Sequence, residues 1–208
     1  MRTIIRSVTV FSCLLALSVG AAQAKEHEQA AAVDPAQQAA MEAMKKLGSP
    51  GEGHKALEPL AGNWNYTLEW RMAPDASAQA MTGTAVNTWV FGGRFLRQEV
   101  TGSPMAEGEP PFEGMGLLGY DNMRQEYQSV WLDNMMTGMM RGVAQYDPAA
   151  KTLAEQGTFS CPMTGEKERW YRTEWKIVDA DHAVYSSYSK DPQGNEFKSM
   201  EIQYARAK

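Results

Sequence analysis

The strongest constraint on this chain is a change of hydrophobic period at Gly62-Asn63-Trp64 that persists, with short interruptions, to Arg206. Trp64, Tyr66, Leu68, Trp70 and Met72 share one face, and Asn65, Thr67, Glu69 and Arg71 share the other. A period of two means a half-buried strand, because successive side chains on extended backbone point to opposite sides. The later strand candidates are 82–91, 94–101, 112–121, 124–132, 137–146, 151–159, 167–178, 182–190 and 196–206. Turn chemistry separates most of them: Gly92-Gly93, Asp121-Asn122, Asp133-Asn134, Asp147-Pro148 and Gln193-Gly194-Asn195. The three Asp turns recur at 12- and 14-residue spacing, as in an up-and-down meander. No helical pattern of useful length interrupts the strands, which excludes a parallel sheet. The expected class is all-β, an up-and-down antiparallel barrel of about ten strands.

The two ends of this run carry a second signal. A G-x-W before the first strand and an Arg on the last one resemble the bracket of lipocalin-like barrels. There the indole plugs the floor and the guanidinium lies across it, a cation–π contact of about 0.5–2 kcal/mol. Met200, Ile202, Tyr204 and Arg206 share a face, so Arg206 is in phase with the apolar side, where it must stand to reach Trp64. Gly62, Trp64 and Arg206 are therefore assigned structural roles.

Several motifs fall in order along the chain. They are His54-x-x-Leu57-x-x-Leu60-x-Gly62-x-Trp64, then Gly92-Gly93-Arg94-Phe95-Leu96, then Phe112-Glu113-Gly114-Met115-Gly116-Leu117-Leu118-Gly119-Tyr120-Asp121, and last Trp131-Leu132-Asp133. Together they resemble a bacterial family, domain-of-unknown-function family fifteen-seventy-nine, over about residues 52–206. The resemblance implies a calycin-type barrel and no activity, so no catalytic residue is carried over from it. Haem-binding calycin barrels place a His near the end of the barrel, and Met200 to Arg206 contains none.

Upstream of the barrel the chain divides into two parts. Residues 1–24 read as a signal peptide: Arg2 and Arg6 are basic, Val8 to Gly20 is apolar, and Ala22-Gln23-Ala24 is a small-x-small cleavage site. The apolar run is too short for a membrane span of about 20 residues. Cleavage after Ala24 predicts a soluble periplasmic protein starting at Lys25. Residues 25–51 read as a polar leader and a short helix, with Asp34 as N-cap, Pro35 at the first helical position, Met41, Met44 and Leu47 as a thin stripe, and Gly48 as the stop. Residues 52–208 form the expected lipocalin-like barrel domain, with Leu57 and Leu60 as floor residues.

Composition narrows the partners. A formal net charge of −5 with no basic run argues against nucleic acid, and no basic amphipathic helix points to stable membrane insertion. Cys161 is the only cysteine after cleavage, so the core holds by packing, with six Trp, eight Tyr and, once Phe11 is removed, five Phe to supply it. The three histidines, His27, His54 and His182, have no metal-ligand spacing, and His54 reads as a cap or surface group. Met135, Met136, Met139 and Met140 could offer soft thioethers to Cu(I). The competing reading is adaptable packing, with Met136 and Met140 on one strand face and Met135 and Met139 on the other. No cofactor and no metal site is predicted.

The chemistry left to the chain is that of a lined cup. Tyr66, Trp70, Arg97, Glu99, Glu113, Tyr120, Trp131, Arg141, Tyr171 and Trp175 are the candidate ligand-binding residues, from parity and from the mixed polarity of the middle strands. Catalytic residues are not assignable. Neither a nucleophile elbow nor a Walker loop is present, and Gly114, Gly116 and Gly119 precede no helix, so they are not a phosphate loop. The expected function is binding of a small, partly apolar molecule in the cup. The alternatives are an enzyme using pocket Glu, Arg and Tyr on a similar ligand, or a structural or stress protein whose barrel is filled by side chains. Residues 102–111 read either as a mobile flap at the open end or as an ordinary surface loop.

Overall fold

Ten strands, each hydrogen-bonded to the next in sequence, curl until the last meets the first in a computed structural model that describes residues 34–208. The strands are β1 (Gly62–Trp70), β2 (Gln79–Val90), β3 (Phe95–Gly102), β4 (Phe112–Asp121), β5 (Glu126–Asp133), β6 (Met140–Asp147), β7 (Thr152–Phe159), β8 (Arg169–Ile177), β9 (His182–Lys190) and β10 (Glu196–Arg206). All neighbours are antiparallel, and β1 closes on β10 with Trp64 opposite Arg206 and Tyr66 opposite Tyr204. The signal peptide, its cleavage site and the leader to Val33 lie outside the described residues.

The hairpins sort the loops by end. Four-residue turns at 91–94, 122–125, 148–151 and 178–181 lie at one end, with the start of β1. The longer loops 71–78, 103–111, 134–139, 160–168 and 191–195 lie at the other. Residues 102–111 and the turn after Asp133 therefore share the end opposite Trp64.

The first end is closed. Helix α2 (Glu52–Lys55) and a 3-10 turn (Glu58–Leu60) cross it and bury Leu57 and Leu60 to 1% and 3% exposure. Backbone carbonyls of this cap are met by barrel side chains. Trp64 Nε1 and Asn87 Nδ2 both donate to Leu60 O (2.9 and 2.7 Å), and the Tyr127 hydroxyl donates to Gly53 O (2.9 Å). His54 is buried, and its Nδ1 accepts from the Gly51 N–H at 3.1 Å. It is a cap and not a surface group. Burial, with Arg94 nearby as a smaller effect, holds its pKa below the ordinary value.

The bracket is seen directly. The Arg206 guanidinium lies 4.2 Å from the Trp64 ring and donates to Ala61 O (2.9 Å), Pro59 O (3.1 Å) and Ala180 O (2.9 Å). It thus ties the cap, the first strand and the β8–β9 turn together. Gly62 makes this possible twice over: its φ is +111°, and a Cβ there would stand 2.6 Å from Arg206 Nη1.

Two expectations change. The first strand ends at Trp70, so Met72 belongs to the following loop and is 53% exposed. The strand expected over 137–146 starts at Met140, and the loop after Asp133 runs to 139, so Met135 and Met139 are exposed rather than packed on a strand face. Helix α1 (Pro35–Leu47) is capped by Asp34 as expected, yet it buries none of its residues, and Met41, Met44 and Leu47 face solvent.

Candidate functional site

The barrel interior is built from alternate residues, and register decides which. On β4, Phe112, Gly114, Gly116, Leu118 and Tyr120 point inward, because they pair with the inward Gly102, Val100, Gln98 and Leu96 of β3 and with Trp131, Ser129 and Tyr127 of β5. Glu113 is therefore on the outside with Met115 and Leu117. Arg97 and Glu99 are also outside, where they pair at 2.9 Å. Arg141 is exposed on the outer face of β6, whose inner face is Met140, Gly142, Ala144 and Tyr146. Four of the ten candidate residues, Arg97, Glu99, Glu113 and Arg141, thus do not line the interior. For Glu113 and Arg141 the physical reason is that the inner faces of β4 and β6 carry glycine and alanine, which a hydrophobicity pattern scores as weak. The apolar Met115 and Leu117 sit on the outer side, half-buried by their neighbours.

Those small residues have a clear use. A Cβ on Gly114 would stand 2.3 Å from the Trp131 ring, and one on Gly116 would stand 3.1 Å from it. The indole lies flat across both, stacks on Phe112 at 6.5 Å with an interplanar angle of 16°, and donates its N–H to Asp133 Oδ2 at 2.9 Å.

The remaining six candidates all point inward, at different depths. Tyr120 is beside the cap, edge-on to Tyr127 at 4.8 Å and to His54 at 5.9 Å. Burial, with Tyr120 and Tyr146 nearby, pushes the Tyr127 hydroxyl up to about 12. Trp175 packs between Tyr185 and Tyr204, each at 5.0 Å, and Tyr66 lies against Tyr204 at 5.7 Å. These rings fill the floor half on the β8, β9, β10 and β1 side. Trp70, Trp131 and Tyr171 lie nearer the mouth. Among inward side chains of the mouth half, Leu68, Trp70, Phe112, Trp131, Met140, Phe159, Phe197 and Met200 are only partly buried.

One residue in this interior was missed from the sequence. Glu155 points inward from β7, between Leu153 and Gly157, and is part-buried. The Tyr171 hydroxyl donates to its Oε1 at 3.0 Å, and the Ser129 hydroxyl also hydrogen-bonds it. Its carboxyl lies over Gly142, where a Cβ would be 2.4 Å from Cδ. Burial raises its pKa above the ordinary carboxylate value, and the Tyr171 and Ser129 hydrogen bonds only partly oppose this. Burial and the adjacent Glu155 push the Tyr171 hydroxyl up in turn. The signal was available: Leu153, Glu155, Gly157 and Phe159 alternate, which puts an acid on an otherwise apolar face.

Concavities lie at the rim between β1 and β10. One of about 270 Å³ is lined by Arg71, Pro74, Phe197 and Lys198. Another, of about 160 Å³, is lined by Glu69, Arg71, Lys198, Ser199, Met200 and Glu201. They form where β10 bulges between Lys198 and Met200. Among the described residues, no group of three or more His, Cys, Asp or Glu side chains is placed to hold a metal ion, and no helix is long and apolar enough to cross a membrane.

The fold has solved counterparts. The structure of Rv2717c from M. tuberculosis superposes with a TM-score of 0.57 at 16% identity, covering 77% of this chain and all of that one. The S-type phycobiliprotein lyase CPES from Guillardia theta superposes with a TM-score of 0.53 at 13% identity, covering 76% of this chain and 99% of that one. The architecture is thus that of a lipocalin-like barrel. No curated protein matches the sequence. The family described as "Protein of unknown function (DUF1579)" matches residues 49–206.

Proposed function

We propose that this chain, which belongs to the DUF1579 family of proteins of unknown function, binds a small, partly apolar molecule in the mouth half of its barrel. The observation that carries this reading is the contrast along the barrel axis. Trp64, Tyr66, Leu96, Tyr127 and Leu153 on the capped side are buried, whereas Trp70, Phe112, Trp131, Phe159, Phe197 and Met200 at the mouth stay partly open to solvent. Surface of that kind gains by covering, at about 25 cal/mol per Å². Small barrels commonly hold a single ligand in this position. The likeness to a phycobiliprotein lyase supports the reading as an analogy of fold. Export to the periplasm through residues 1–24 belongs to the same proposal and rests on the signal-like sequence alone.

The test is a tryptophan-fluorescence titration with lipids, quinones and aromatic metabolites. Binding at micromolar affinity, about −8 kcal/mol, should quench or shift the emission, and Trp131→Ala should weaken it. An emission unchanged by every compound would leave the barrel as a structural body whose rings merely fill it. A second reading, an acid–base enzyme, is favoured by one observation: Glu155 and Tyr171 are hydrogen-bonded at 3.0 Å inside the barrel. It predicts turnover of a bound compound that Glu155→Gln abolishes while binding survives.

A further inference from the structure

We propose that the molecule taken by the mouth half is an organic cation, an ammonium carried on an apolar body, with Glu155 as its counter-charge. This rests on the reading of the mouth half as a ligand site and names the class of ligand.

Glu155 projects from β7 into the barrel, and no cation is among the groups that act on it. The groups facing it are hydroxyls and rings: Ser129 on β5, Tyr171 and Thr173 on β8, and Tyr185 on β9. Nearer the mouth, Asp133 is a second inward acid, held by the Trp131 indole N–H. Among the described residues, the one inward cation of this half, Arg169, is already committed. It pairs with Glu166 at 2.8 Å and donates to Lys190 O at 3.2 Å. The lining therefore holds two acids and one neutralised base.

A carboxylate withdrawn from water without a partner is costly, and an incoming cation supplies that partner. The Tyr171 hydroxyl is placed to hold an ionised carboxylate, since it donates to Oε1. Gly142 leaves the space in which the carboxyl lies. The surrounding surface suits the rest of such a molecule. Trp131 and Phe159 keep part of their rings open, and aromatic faces attract ammonium groups. Phe112 and Met200 offer apolar cover to its body. The basic groups of the rim, Arg71 and Lys198, stand outside this lining, and Lys198 is paired with Glu201.

Isothermal titration calorimetry of the full chain with three matched probes decides the matter: phenylbutylamine, phenylbutanol and phenylbutyrate. The amine should bind at least about tenfold more tightly than the alcohol, with the carboxylate weakest. Glu155→Gln should bring the amine to the level of the alcohol. Alcohol binding without a preference for the amine overturns the cation assignment and leaves the apolar site standing. So does a preference that survives Glu155→Gln. Tightest binding by the carboxylate overturns it in favour of Arg71 and Lys198. If none of the three binds, both this inference and the reading beneath it fail. The wild-type ranking does not depend on the variant, so a poorly folded Glu155→Gln protein would not rescue the proposal.

Discussion

The two ends of this barrel are made of the same strands and behave as different materials. At the capped end, turns are four residues long, and Trp64, Leu57, Leu60, Leu96, Tyr127 and Leu153 are almost wholly out of solvent. At the mouth the loops are longer, and Trp70, Phe112, Trp131 and Phe159 keep part of their surface exposed. Both ends are rich in aromatics, so aromatic content alone does not separate them. What separates them is whether the rings meet one another and a cap, or meet water. A ring buried in a closed cap contributes its transfer free energy to folding, and a ring left half-open keeps part of it for another contact.

The hardest test of that contrast is a matched pair of truncations. Trp64→Ala should cost about 3–5 kcal/mol, because it opens a cavity under the cap and removes the surface that Arg206 covers. Trp131→Ala should cost clearly less stability and should instead weaken ligand binding. Urea midpoints for the two variants check this, and equal losses would break the distinction between the ends. Next in size, Arg206→Ala should lower stability by about 1–3 kcal/mol through the lost ring contact and three carbonyl hydrogen bonds. An unchanged midpoint would remove the latch from the account of the capped end.

Much of this was legible in the sequence. Strand number and hairpin order follow from alternation and turn residues, which are local signals, whereas the Trp64–Arg206 contact came from the resemblance to the lipocalin-like bracket, with the parity of Arg206 in support. The inner face of β4 was not legible, because Gly114 and Gly116 give it no hydrophobic weight while Met115 and Leu117 load the outer one. Which side of an alternating strand faces in is set by its neighbours' register, and Trp131, one strand away, is what those glycines accommodate. For the same reason Glu113 and Arg141 were placed in the cup, whereas Arg97 and Glu99 were placed there from the mixed polarity of the middle strands although the inward Leu96 and Val100 alternate with them. The turn at Asp133 was legible, and Asp133 accepts from Met135 N at 3.0 Å there, but the loop runs on to 139 and the strand begins three residues later than the expected 137.

Smaller effects sharpen the mouth. In Gly142→Ala the new methyl meets the end of a flexible side chain, the Glu155 carboxyl. The cost should stay within about 1–3 kcal/mol, with the carboxyl displaced and the amine preference lost. Thermal melts together with the calorimetric ranking check both halves. Glu155 also gives a pH signature. Its folded pKa lies above the ordinary carboxylate value, so the folded state holds this proton more tightly than the unfolded one. The stability it contributes is full at acid pH and is lost as pH rises through the raised value. Glu155→Gln should therefore gain stability relative to wild type as pH rises from about 4 toward neutrality. A difference between the two proteins that does not vary with pH would contradict the burial of the carboxyl. Smallest of all, Cys161→Ser in the β7–β8 loop should leave the melting temperature unchanged, since the thiol is unpaired within the chain.

The closure of β1 on β10 sets the order in which this chain can fold. Nine of its ten strand pairs are hairpins between neighbours in sequence, and only the seam joins residues from opposite ends of the domain, as Arg206 and Ala61 do across 145 positions. Hairpins form locally and early, whereas bringing two distant strands together carries the full entropy of loop closure. The seam should thus be the last ladder to zip and the first to open. A chain stopped before residue 196 would keep nearly every local contact and still present two unpaired strand edges, the state from which β proteins aggregate. Attached to the last strand, Arg206 fastens the one joint that the meander cannot make for itself.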